Sequence, residues 1–306
     1  MTGVLDGFAT IALVIAVGAA LAHWRVLDMS VQRVLAHVAF HVGGPALMVT
    51  VMSRTDIHGM LSLNLVATVA GVAVPALAYA VAAHLIWRRG LGETVIGTFA
   101  ASYVNAGNLG IPIATYVLGD AALVAPTLLL QLLILQPLGL TLLDVDRSGG
   151  GLAWRQVLRR PVTNPLTLGT LAGLILSLTD TTLPRPIAAP IALIGGLAIP
   201  AMLLAFGISL RLGPRFGGAS LAELAYTAAL KSLVQPLIAY AVARFALGMS
   251  GAAPLAVTVT SALPTAQNIF THATRYQRAE ALARDTILVT TIACLPITVL
   301  IAAALG

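Results

Sequence analysis

Two strings of polar and helix-breaking residues interrupt long apolar runs. The first is Asn105, Ala106, Gly107, Asn108, Leu109, Gly110, Ile111, Pro112, and the second is Pro264, Thr265, Ala266, Gln267, Asn268. Glycine and asparagine are weak helix formers, and proline removes a backbone donor and clashes with the preceding turn. Each string therefore predicts a break in a helix. A break leaves half-helix ends, and the N-terminal ends, expected near Ile113 and Thr265, offer N–H groups and partial positive charge that suit a carboxylate. Asn105, Asn108, Gln267 and Asn268 can add amide hydrogen bonds, while Gly107, Gly110, Pro112 and Pro264 make the breaks. With Thr265 these residues form the expected substrate site; the plainer reading of the amides is that they glue helices together.

Lys231 lies about ten residues into another apolar run with no acidic neighbour in sequence. A lysine at that depth is costly and marks function by default. It can touch a substrate, stand in for a coupling cation by tethering the broken helices, or snorkel to an interface. Every Asp and Glu, by contrast, falls at the end of an apolar run or in a loop. No mid-membrane carboxylate is expected to hold sodium or shuttle a proton, so a positively biased cavity fits an anion. His37 and His41 share a helix face at a spacing that can bind metal, but no third ligand lies nearby, and packing or pore lining is the expected role. Cys294 is the single cysteine and sits in the last apolar run, so no disulfide, metal or cofactor is expected. No His-Glu-x-x-His or Gly-x-Ser-x-Gly string is present, and an enzyme is not expected. The basic residues are scattered without interleaved aromatics, which argues against nucleic acid despite a net charge of +6.

The elements that must carry these residues follow from composition. Of 306 residues, 58% are hydrophobic and only 9% charged, with a mean hydropathy of +0.95, which excludes an ordinary soluble domain. At about 20 residues per crossing the chain has room for roughly ten spans. They are expected at 7–24, 31–52, 61–87, 94–118, 121–143, 165–178, 187–210, 221–247, 252–274 and 286–305. The first run lacks the basic start and cleavage pattern of a signal peptide, so it is expected to be retained. The polar stretch 144–163 is the expected join between halves, giving repeats at 1–148 and 149–306. Odd-numbered loops carry 13 arginines and even-numbered loops 3, so both termini are expected outside the cell membrane.

The halves resemble each other at an offset of roughly 155 to 160 residues. Residues 74–82 and 235–243 both place proline second (Pro75, Pro236) and end in Ala-Tyr-Ala-Val-Ala. Gly43, Gly44 and Pro45 answer Gly195, Gly196 and Pro200, while Pro112 answers Pro264 and Pro137 answers Pro296. Five spans is an odd number, so the second copy must lie upside down in the bilayer. The expected fold is an all-α integral membrane protein of two inverted five-helix repeats, with broken helices crossing in the fourth and ninth spans.

The chain resembles the auxin efflux carrier family of membrane transport proteins, which includes plant PIN auxin exporters and bacterial malonate and malate carriers. The resemblance is carried by Asn105 with Gly110, Ile111 and Pro112; by Ala262, Leu263 and Pro264 followed by Phe270, Ala273 and Tyr276; and by Leu295, Pro296, Ile297 and Thr298. It implies a fold like that of the bile-acid sodium symporters and related sodium–proton antiporters. Helices one, two, six and seven would form a scaffold and homodimerise, and helices three to five and eight to ten would form an elevator-like transport domain. It implies export of a small organic anion across the lipid bilayer; a sodium-coupled symporter of an amphipathic organic acid is the alternative.

Overall fold

The computed structural model describes residues 2–54, 57–148, 165–213 and 217–305. Most of the expected polar join at 144–163 lies outside the described residues. In chain order the helices are α1 (Thr2–His23), α2 (Met29–Val38), α3 (Gly44–Met52), α4 (Ile57–Leu85), α5 (Leu91–Ser102), α6 (Ile111–Tyr116), α7 (Ala125–Leu130) and α8 (Gln136–Ser148). They continue as α9 (Pro165–Leu178), α10 (Arg185–Gly196), α11 (Ala198–Leu212), α12 (Leu221–Ala229), α13 (Gln235–Ala241), α14 (Ala252–Ser261), α15 (Asn268–Tyr276) and α16 (Glu280–Leu305). Wide π turns join α2 to α3 (Ala39–Gly43), α7 to α8 (Gln131–Leu135) and α12 to α13 (Leu230–Val234). Another, Ala106–Gly110, leads into α6. Such turns add a residue to the helical ring and favour functional positions.

Five helical stretches are long and apolar enough to cross a bilayer: Met29–Met52, Leu63–Leu85, Ala121–Arg147, Arg185–Leu212 and Glu280–Leu305. Each falls on one of the expected spans. Ala9–His23, Pro165–Leu178 and Ala252–Ser261 are shorter apolar helices. Among the described residues the fold is all-helical apart from one antiparallel bridge, Val104 to Thr265. This is the architecture of a multi-pass membrane protein, whose backbone groups must be satisfied within the span.

The chain divides into two compact units. The first takes in Met1–Leu61, Gly107–Leu128 and Val162–Pro214. Small residues let its helices approach closely, beside buried bulky ones such as Met48, Leu166, Leu203 and Ile208. A Cβ on Gly18 of α1 would stand 2.5 Å from the Leu204 carbonyl oxygen of α11, and one on Gly207 of α11 would run into the Ile15 carbonyl. On the other side, a Cβ on Gly169 of α9 would stand 2.5 Å from the Pro45 carbonyl of α3. In lipid, where burial of apolar surface gives no advantage over contact with acyl chains, such close backbone approach is what holds helices together.

The second unit takes in Ser62–Ala106, Leu129–Pro161 and Arg215–Gly306. One cluster of buried side chains joins Ile96, Phe99 and Tyr103 of the fourth span's first half to Leu143, Ile269 and Ala273. A second gathers Leu224, Leu230 and Leu282 around the fully buried Tyr79. Gly97 leaves room for the Tyr79 ring and Gly139 for the Phe99 ring. The acidic residues here sit at helix ends as the sequence suggests, yet Glu223 and Asp285 are only 2% and 1% exposed. Glu223 accepts from the Tyr79 hydroxyl at 2.8 Å and from Arg89 at 2.6 Å. That hydrogen bond holds the Arg89 guanidinium above its ordinary pKa. Asp285 accepts from Arg284 at 2.8 Å and from the backbone N–H of Gly217 at 3.2 Å. Arg278 pairs with Asp146 at 2.9 Å, and the Tyr276 hydroxyl donates to Asp144 at 2.6 Å.

Candidate substrate site at the helix breaks

Both predicted breaks are present, and in the second unit they meet. α5 ends at Ser102 because Tyr103 leaves the helical region for φ −87°, ψ 109°. α14 ends at Ser261, and the chain stays non-helical until Asn268. The two extended stretches pair antiparallel: the Asn105 N–H donates to the Pro264 carbonyl at 2.8 Å, and the Ala266 N–H donates to the Tyr103 carbonyl at 3.1 Å. Unwound backbone buried in a membrane protein needs such partners, since no water is at hand. Side chains supply more. The Thr265 hydroxyl donates to Ala100 at 2.6 Å, Gln131 donates to the Val104 carbonyl at 3.0 Å, and the Thr265 N–H donates to the Thr290 hydroxyl at 3.1 Å.

The last carbonyl of each first half-helix receives a side-chain donor from the helix string α12–α13. Lys231 Nζ donates to the Ser261 carbonyl at 3.0 Å, at the C-terminal end of α14. Gln235 Nε2 donates to the Ser102 carbonyl at 3.0 Å, at the C-terminal end of α5. A helix C-terminus carries orphan carbonyls and about half a negative charge, so an ammonium is well placed on one. The Lys231 side chain is fully buried, and among the described residues no carboxylate pairs with it. Snorkelling is therefore not its arrangement.

The expected site residues fall in different places. Asn105, Pro264 and Thr265 are buried at the bridge in the second unit, and Gln267 and Asn268 are half-buried at the start of α15. The Asn268 side chain hydrogen-bonds the Tyr103 hydroxyl, which itself donates to Gln136 at 3.0 Å. Gly107, Asn108, Gly110 and Pro112 belong to the first unit, where Asn108 is half-buried and α6 packs on α1. Pro112 stands in the first turn of α6, a position that tolerates its missing N–H.

The second half-helices start near the expected places but not at them. α6 begins at Ile111, two residues before Ile113, and α15 begins at Asn268, three after Thr265. The delay has a cause: Thr265 and Ala266 are committed to the bridge. Sequence reading missed Gln131, Gln235 and Thr290. Their signal is only a polar side chain within an apolar run, which does not say which carbonyl it will find. His37 and His41 stack at 4.6 Å between ring centroids, and no group of three metal-binding side chains occurs among the described residues.

Residues 152–302 match the family described as membrane transport protein. The chain is 27% identical over 260 residues to a Rhizobium meliloti protein provisionally named as a malonate transporter, covering 81% of this chain and 79% of that one. It is 30% identical over 215 residues to an uncharacterised transporter of Methanothermobacter thermautotrophicus, covering 67% of each chain.

Proposed function

We propose that this chain, which belongs to the auxin efflux carrier family of membrane transport proteins, is a secondary transporter that exports a small organic anion, a carboxylate, across the cell membrane. The observation that carries the reading is Lys231, a fully buried basic side chain set on the end of a broken helix, with no carboxylate paired to it among the described residues. A basic side chain beside unwound backbone favours an anion over a cation. The Rhizobium relative's name points to a dicarboxylate, and the amides of Asn105, Gln267 and Asn268 are suited to hydrogen-bond one.

The rest of the reading is of one piece with this. Ten spans form two inverted five-helix repeats with both termini outside. Spans one, two, six and seven make a dimerising scaffold, and the others carry the site past it as an elevator. Export needs no coupling ion: an inside-negative potential of 100 mV drives one anionic charge outward by about 2.3 kcal/mol, close to a fiftyfold gradient. The ammonium already occupies a half-helix end of the kind that holds sodium in sodium-coupled carriers, so transport proceeds without sodium.

The test is flux in proteoliposomes loaded with a panel of mono- and dicarboxylates under a K⁺ diffusion potential. Protein-dependent, potential-driven efflux of one of them is expected, lowered in Asn105→Ala and Asn268→Ala. No flux of any, or sodium-dependent thermal stabilisation with sodium-dependent uptake, would overturn the proposal.

A further inference from the structure

A basic stripe runs along α2 into the middle of the second span. Arg33, His37 and His41 are spaced four residues apart, so they lie on one helix face, and all three are exposed. The flanking face carries Val34, Val38 and Val42 at the same spacing, with Val34 61% and Val42 47% exposed. Two adjacent faces of one helix are thus open to a similar degree but opposite in chemistry. Valine at exposed positions of a span suits acyl chains. Arginine and histidine there do not, since each costs several kcal/mol facing hydrocarbon. The stripe must meet water or a polar partner.

Three further details give the stripe its sign. The His37 and His41 rings stack at 4.6 Å, and His41 Nδ1–H donates to the His37 carbonyl at 3.1 Å, which orients both along the face. The helices packed against α2 and the turn after it are α9, α10 and α11, and their only charged residues are Arg185 and Arg211. The nearest acid in sequence, Asp28, is engaged in capping α2 through the Ser30 and Val31 N–H groups. Among the described residues, none of these helices brings a carboxylate to the stripe.

We infer that Arg33, His37 and His41 form a water-facing track on the first unit along which an anion moves between the cytoplasmic mouth and the membrane midplane. This deepens the anion-carrier reading and rests on it. An aqueous wall bearing the Arg33 charge and imidazole hydrogen-bonding groups raises the local concentration of anions by on the order of tenfold, which serves a carrier whose site is reached only from mid-membrane.

The experiment uses accessibility, which needs no knowledge of the transported solute. Single cysteines replace His37, His41, Val34 and Val42 in a Cys294→Ser background, with folding checked by gel filtration. Each is treated in membranes with an anionic sulfonate-bearing and a cationic trimethylammonium-bearing methanethiosulfonate. Rates are normalised to those on a small free thiol. The anionic reagent is expected to modify positions 37 and 41 about tenfold faster than 34 and 42, and faster than the cationic reagent does. Arg33→Gln should bring that anion preference toward unity at position 37, and Arg33→Lys should keep it. Unreactive cysteines at 37 and 41, a cationic preference, or oxidative crosslinking of two copies through these positions without reagent modification would each overturn the inference. Because labelling is read without flux, absence of carboxylate transport with an intact anion-selective stripe would count against the proposed cargo and leave the stripe standing.

Discussion

Replacing Lys231 by methionine should separate its role in folding from its role in transport. The side chain is fully buried and, among the described residues, donates its one hydrogen bond to the Ser261 carbonyl at 3.0 Å. Removing a charge-assisted hydrogen bond costs about 1.5–3 kcal/mol. Against that, a buried ammonium without a carboxylate partner has given up hydration worth several kcal/mol, and methionine of similar length gives up none. Lys231→Met is therefore expected to keep or raise the unfolding temperature. Transport should respond in the opposite sense. When protonated, a lysine at an assumed separation of roughly 8 Å from an anion contributes, at an effective dielectric constant of about 20, about 2 kcal/mol, close to a thirtyfold effect on affinity. The substitution also uncovers the negative end of α14, which adds to the loss. The assay pairs thermal unfolding in detergent with initial efflux rates over a range of internal substrate concentrations. Wild-type efflux in a folded Lys231→Met protein would refute the electrostatic reasoning. Loss of folding together with loss of efflux would show the lysine to be a structural tether.

Other substitutions test the packing that supports the site. Gly207→Val should lower the unfolding temperature by the equivalent of about 1–3 kcal/mol, because its side chain would run into the Ile15 carbonyl, whereas Gly196→Ala, with open space around the new Cβ, should melt like the wild type. Glu223→Ala leaves the buried Tyr79 hydroxyl and Arg89 without their acceptor and should cost about 2 kcal/mol in chemical or thermal unfolding, allowing for solvent screening of the part-exposed arginine; Glu223→Gln, which still accepts from Tyr79, should cost less. Gln131→Leu removes one of two donors to the Val104 carbonyl, which keeps the Ala106 N–H at 2.8 Å, and a loss of about 1 kcal/mol is expected, read as a lower melting temperature.

Much of this protein is local and therefore legible along the chain. Apolar run length fixes where helices can cross, and five of the expected spans coincide with continuous apolar helices. The breaks are legible for the same reason, since glycine, asparagine and proline weaken a helix through their own backbone chemistry, although Gly107, Gly110 and Pro112 lie in the helical stretch just after the first break. The depth of Lys231 in its run was equally plain. The restriction of Asp and Glu to span ends was plain too, but not that Glu223 and Asp285 would be buried there.

Long-range pairing decided the rest. Sequence alone placed two broken helices; the tertiary structure joined them as the bridge of Val104 with Thr265, over 160 residues apart in the chain, and so moved the start of α15 from Thr265 to Asn268. Only the fold shows that Lys231 and Gln235, one turn apart, serve the ends of two different half-helices at Ser261 and Ser102. A side chain's type says what it can donate, while its partner is set by which backbone carbonyls remain orphaned nearby, and that depends on how distant helices end beside one another.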